Sequence, residues 1–471
     1  MNSQIMNFTF GDYCVVIIYF LIILYVGFYL TKKKESGINT KESFLLDGRR
    51  LTLPFFVATL VATWYGSILG IGEFVYRDGI VAWVCFALPY YISATLYAVF
   101  ISKRLRKFNV LTLPEQIGNH YGNKASKAAS ILVLVITIPA SYILMLGILL
   151  EMLTGWNLWV SILIGGASSV AFLFTGGFKA DVLTNTVQFV LMYIGFGVLL
   201  YFSVLFYGSP IDMLALLPDK HLQVSGGYSW QFILAWFIIS LQTFIDPSFH
   251  QRCSAAKTPL VAHNGILVSI LLWVIFDTLT ITTGLYARVF IPLNDPLIAY
   301  PALSEAILPS IWKGVVFVAL LAIVMSTLDS YSFISAATIG NDLLPTFLKK
   351  KKYTIKSLTN FGLIITTVLG IAMAAILPSV VQLIYKAASI AVPGLLIPLL
   401  LTYTTRLKIT PNQAFIIIII SSLTSTLWLI GGFIAESELS QFWQFFIEIE
   451  PMIPGIIISI IITSLALIKN R

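Results

Sequence analysis

Serine, threonine and aspartate interrupt one long apolar run in a way that anchorage in lipid does not explain. The stretch VVFVALLAIVMSTLDSYSFISAATIGND places Ser326, Thr327, Asp329, Ser330 and Ser332 at mid-membrane depth with no basic residue beside them. Helical spacing puts Asp329 and Ser330 one turn beyond Ser326, on the same face. Hydroxyls and a carboxylate without a basic partner suit a hard cation, which takes several oxygen ligands. The competing use of such hydroxyls is bonding back to the preceding turn, common in membrane helices. An unpaired carboxylate weighs against that use, because at mid-bilayer it costs about 2.5 kcal/mol or more unless compensated.

A second apolar run supplies the missing ligand type. LPFFVATLVATWYGSILGIGEFVY carries Gly66, Gly70 and Gly72, with Glu73 inside the run. Such a helix can break, and unwound backbone carbonyls then join the hydroxyls of a facing helix.

These segments sit in a chain of 471 residues that is 58% apolar and 11% charged, with mean hydropathy +0.91. That composition excludes an ordinary soluble surface and implies an all-α polytopic membrane protein. Apolar runs fall at 13 to 31, 53 to 76, 81 to 101, 128 to 153, 158 to 175, 182 to 207, 230 to 248, 263 to 287, 314 to 340, 357 to 378, 380 to 403, 412 to 434 and 451 to 468, which predicts thirteen spans. The net charge of +8 then reports topology rather than nucleic acid. Alternate loops hold 24 Lys and Arg against 4, placing the N-terminus outside and the C-terminus in the cytoplasm. The basic run 349 to 356 is topogenic, and the aromatic, acidic segment Glu436 to Glu450 is expected at the outer interface.

Cys14, Cys85 and Cys253 stand isolated, without a metal or disulfide pattern. Four scattered histidines and the lack of HExxH, DDxxD or GxSxG leave no catalytic centre, so an enzyme is not expected, nor a cofactor beyond a coupling ion. Proton coupling stays open beside sodium, because Asp329 could titrate. Thr112, Pro114 and Glu115 read as a helix start, Asp246, Pro247 and Arg252 as a helix stop or inner-gate contact, and Asp181 as a cap. Lys179 in TGGFKA reads as a snorkelling cation, and His250 and His263 as interfacial residues.

Five stretches in order resemble the sodium:solute symporter family: FLLDGRR with SILGIGEFVYRDG, LTLPEQIGNHYG, TGGFKADVLTNTVQ, DPSFHQRCSAAK and AIVMSTLDSYSFISAATIGND. The later VPGLLIPLLLTY fits the family's tenth core helix. The resemblance implies a sodium-coupled symporter of the plasma (inner) membrane, with small-molecule solute, sodium and lipid as partners. It implies the LeuT-like architecture of two inverted five-helix repeats, so that thirteen spans divide as 1 + 5 + 5 + 2. The divisions are an N-terminal helix and loop (1 to 52), repeats at 53 to 207 and 230 to 403 around an external loop (208 to 229), and two C-terminal helices (404 to 471). Both repeats would open with a broken helix.

Carried over by residue, the family's sodium site gives the carbonyls of Leu60, Thr63 and Ile323 and the hydroxyls of Ser326 and Thr327. The solute would meet Thr63, Trp64, Ser67, Tyr90, Gln242, Tyr385 and Lys386, and Lys386 would favour a carboxylate-bearing solute. Where the family commonly has Asp, this chain has Asn185. Asp329, with Ser330 and Asn185, is therefore expected to form a second sodium site or the first stop on the ion's inward path.

Overall fold

Proline and glycine decide where the apolar runs start, break and turn. The computed structural model describes residues 6–31, 41–347, 353–376, 380–404, 406–437 and 449–470. Lys32, Lys33, Lys34, the run 349–352 and most of the segment 436–450, including Trp443, Phe445 and Phe446, lie outside the described residues, as does the side chain of Tyr385. No strand forms among the described residues; one parallel bridge joins Leu51 to Ala256.

Among the described residues ten helices are long and apolar enough to cross a membrane, or eleven if the bent pair Leu53–Trp64 and Ile68–Asp78 is taken as one span. A shorter apolar helix, Leu158–Ser169, stands where the fifth span was expected, and the helix Val380–Leu401 stands where the eleventh was. The expected single span over 128 to 153 is instead Leu113–Thr137 followed by Ala140–Thr154. Its break comes from Pro139, which pushes Ile138 to φ −61°, ψ 120°. The Gly-Gly turn expected at TGGFKA is present: within Leu173–Tyr207 the chain leaves helical geometry at Gly177, which adopts φ 55°, ψ −145°. A Cβ on Gly177 would lie 2.8 Å from the ring and carbonyl of Phe44.

The hydroxyl-rich segment lies in Trp312–Leu343, whose apolar window is 89% buried, against 28% for the peripheral Phe10–Leu30 and Met452–Lys469. It packs along Leu173–Tyr207, Leu53–Trp64 and the N-terminal helix. The N-terminal helix is held at one end by Asp12, whose carboxylate accepts from the backbone N–H groups of Ile311 and Gly314 at 2.9 Å. A second interruption matches the first. Trp230–Ile239 passes through a 3₁₀ turn, Ser240–Ile245, and an extended Asp246 into Pro247–Ala255. Asp246 caps the new helix, accepting from Ser248 N at 2.7 Å and Phe249 N at 3.2 Å.

Candidate cation and solute site

The first break brings backbone carbonyls to hydroxyls. Tyr65 and Ser67 leave helical geometry, at φ/ψ of −93°/15° and −89°/25°, and the two halves bend by 57°. Gly66 permits the approach: a Cβ there would lie 2.4 Å from Thr327 Cβ. Ser326 Oγ lies 2.7 Å from Ala62 O and 2.8 Å from Ile323 O. Thr327 Oγ1 lies 2.9 Å from Thr63 O and 3.4 Å from Ile323 O. Two hydroxyl and three carbonyl oxygens thus converge in a buried spot, as a small hard cation requires. Back-bonding to Ile323 and the reach across to the broken helix coexist. Leu60 is buried one turn earlier, and the contact made to the hydroxyl pair at that level is Ala62 rather than Leu60.

One turn further along Trp312–Leu343 the chain supplies its own cation. The Arg252 guanidinium, fully buried, lies 3.1 Å from Asp181 Oδ2, 2.7 Å from Ser330 Oγ, 3.0 Å from Thr63 Oγ1 and 3.2 Å from Thr59 Oγ1. Asn185 Nδ2 donates into the same group of oxygens, 3.0 Å from both Thr59 Oγ1 and Ser330 Oγ and 3.1 Å from Asp181 Oδ1. Ser330 and Asn185 therefore meet as expected, but around a guanidinium. Asp329 does not join them: its Oδ1 accepts from Ser169 Oγ at 2.6 Å, and Oδ2 has no hydrogen-bond partner among the described residues. Helix geometry explains the divergence, since adjacent residues point about 100° apart.

Beside the break opens a cavity of about 180 Å³. Thr63, Trp64, Ser67, Tyr90 and Gln242 all line it, and Gln242 Nε2 donates to Tyr90 Oη at 2.9 Å. Lys386 does not; its neighbours Ala387 and Ala388 do. The lining carboxylates are Asp246, which accepts from the Tyr331 hydroxyl at 2.8 Å, and Asp277, which accepts a short bond from the Tyr91 hydroxyl.

The sequence profile described as the sodium:solute symporter family matches residues 44–421. The chain belongs to that family. Among relatives, the high-affinity choline transporter 1 of Drosophila melanogaster is 23% identical over 386 residues, covering 78% of this chain and 62% of that protein. The chain thus spans less than two thirds of that relative's length. The sodium/pantothenate symporter of Escherichia coli (strain K12) is 25% identical over 372 residues, covering 75% of this chain and 77% of the other. A solved Na+-coupled sialic acid symporter shares the fold at TM-score 0.78 over 98% of both chains, with 14% identity. A nucleobase-cation-symport-1 family transporter shares it more loosely, at TM-score 0.56 and 14% identity over 88% of this chain and 92% of that one. The family and these relatives are transporters, not enzymes.

Several residues of the symporter do other work than their local sequence suggests. Asp181 is no simple cap: it is fully buried and ion-paired to Arg252. Arg252 reads in sequence as part of a helix stop, yet it reaches three other helices. His250 is not interfacial; it is 2% exposed and bonds Gln116 Oε1 at 2.9 Å. Gln116 in turn donates to Thr402 Oγ1 at 2.6 Å. The helix start at Thr112 holds as read, accepting from Glu115 N at 3.2 Å, and its hydroxyl also donates to Asp342 at 2.9 Å. No local signal marked Arg252, because the stretch PSFHQRCSA is polar in sequence although every residue of that helix is buried.

Proposed function

We propose that the chain is a secondary active transporter that couples inward movement of sodium to uptake of a small polar solute by alternating access. The observation that carries the reading is the convergence of the Ser326 and Thr327 hydroxyls on the Ala62, Thr63 and Ile323 carbonyls at the break. In this account sodium is a transported substrate held by those oxygens. The solute occupies the adjoining cavity, so one break in one helix serves both. Thr63 joins the two, because its carbonyl faces Thr327 while its residue lines the cavity.

The ion leaves toward the cytoplasm past Ser330, Asn185 and Asp181, and the Arg252 guanidinium closes that route until the surrounding helices move. Asp329, deflected to Ser169, acts from the side of this path rather than as a direct ligand beside Asn185. Thirteen spans arranged as 1 + 5 + 5 + 2, with the N-terminus outside and the C-terminus inside the plasma (inner) membrane, give both broken helices the same role in two inverted repeats. The interruptions at 65 to 67 and 240 to 246 support that symmetry. The relatives' names include choline and pantothenate, small solutes of different charge, so charge class has to come from the cavity. A carboxylate-bearing solute rested on Lys386, and with Lys386 off the lining that preference loses its support.

Proteoliposomes given an imposed sodium gradient, a proton gradient or neither, and a panel of radiolabelled choline, amino acids, sugars, carboxylates and vitamins, test the reading. Uptake driven by sodium alone is expected. Uptake driven by protons and indifferent to sodium would overturn it.

A further inference from the structure

We propose that the cavity beside the broken helix takes an organic cation, an ammonium compound whose charge sits between Asp277 and Asp246 and whose carbon substituents pack on aromatic walls. This rests on the transport reading above and names its solute class.

The cavity's charge is one-sided. Among the described residues lining it, the ionisable acids and bases are Asp246 and Asp277, with no Lys, Arg or His. Both carboxylates are less than a tenth exposed. Neither forms an ion pair with a basic side chain among the described residues: Asp277 accepts from the neutral phenol of Tyr91, and Asp246 from the phenol of Tyr331 and the backbone N–H groups of Ser248 and Phe249. Arg252 is ion-paired with Asp181 and also acts electrostatically on Asp246, which leaves Asp277 as the carboxylate without a cation among the described residues. An anionic solute would meet like charge here, and a neutral one would leave Asp277 buried without a counter-charge, the costly arrangement. A cation supplies that charge.

The remaining wall suits the same ligand. Trp64, Phe86, Tyr90, Tyr142, Trp236 and Tyr331 face the space. Trp64 is fixed by stacking on Trp273 at 4.9 Å and by edge contact with Tyr90 at 5.3 Å, so its indole does not need to be ordered on binding. Aromatic faces attract desolvated ammonium groups, the arrangement used in aromatic cages for choline-like and methylated ammonium ligands. Carboxylate and ring together recognise charge without requiring an N–H donor, so quaternary as well as primary ammonium compounds fit.

The test measures binding of radiolabelled choline to the purified full-length protein, with tetramethylammonium, ethanolamine, proline, pantothenate and 3,3-dimethylbutan-1-ol as competitors. The last is the uncharged carbon isostere of choline. Choline and tetramethylammonium are expected to bind at least about tenfold more tightly than the isostere. Asp277→Asn should lower choline affinity by about tenfold or more while leaving the isostere unchanged, a split that misfolding cannot produce. Failure of all three ammonium compounds to bind, or equal binding of choline and its isostere, would overturn the proposal. So would preferential binding of pantothenate or proline, or an Asp277→Asn variant with unaltered choline affinity. The transport reading fails separately: choline that binds but is not carried by a sodium gradient refutes coupling and leaves the ligand class standing. Sodium-driven uptake of an acid alone does the reverse.

Discussion

Replacing Thr327 by valine removes one oxygen from the proposed sodium site while keeping the shape of the side chain. The methyl that takes the place of Oγ1 lies against Thr63 O, 2.9 Å away in the native protein, and cannot bond it. Two losses follow. Sodium loses one of five converging oxygens, and the Thr63 carbonyl is left beside an apolar group. A hydrogen bond or ligand contact to a charged partner is worth about 1.5–3 kcal/mol. At about 1.4 kcal/mol per tenfold, apparent sodium affinity should fall roughly tenfold to a hundredfold. Thr327→Ser keeps the oxygen and should stay within about threefold of wild type on the same scale. The assay is a sodium titration of solute uptake in proteoliposomes, normalised to reconstituted protein. A Thr327→Val protein with wild-type sodium activation would refute the assignment of that oxygen, whatever Thr327→Ser does.

Gly66→Ala places a Cβ 2.4 Å from Thr327 Cβ, so the helices must part by about an ångström to reach ordinary contact; sodium activation should be lost at normal membrane levels, and retention of it would show that the close approach is not needed. Arg252→Gln leaves Asp181 buried without its counter-charge and should cost about 3–5 kcal/mol of stability, seen as reduced folded yield. Arg252→Gln with Asp181→Asn should recover much of that yield and, with the inner plug gone, show a sodium leak uncoupled from solute; a tight, fully coupled double variant would contradict the plug. Asp329→Asn keeps the bond from Ser169 Oγ at its Oδ1 position, and if the carboxylate acts on the exit path it should slow turnover with little change in apparent sodium affinity. Lys386→Met should leave solute affinity unchanged, since Lys386 is not on the cavity wall; a loss of about tenfold or more would restore the carboxylate reading.

Much of this arrangement is legible in the sequence because the bilayer tolerates few polar residues without a reason. Ser326, Thr327 and the glycines of the broken span stand out against their apolar surroundings, and the structure brings them together. Thr63, Trp64, Ser67, Tyr90 and Gln242 likewise reach one cavity. What periodicity cannot supply is the partner of each polar side chain. Asp181 and Arg252 are 71 residues apart, and each taken locally resembles a helix terminus. Asp329 and Ser330 share a helix face coarsely, yet the angle between neighbouring residues sends one to Ser169 and the other to Arg252. Lys386 misleads for a related reason: the residue after it lines the cavity, and a shift of one position turns a side chain away. The break at Pro139 went unread because apolar content continues through it, whereas the turn at Gly177 is marked by its paired glycines and the charged residues that follow.

Direct binding of radioactive sodium to the purified protein, with and without Ser326→Ala and Thr327→Ala combined, tests the central claim without any assumption about the solute. The account predicts saturable binding to the native protein, displaced by unlabelled sodium, and its loss in the double variant at unchanged thermal stability. Saturable sodium binding of native affinity in that variant would contradict the site, and with it the coupling proposed for this symporter.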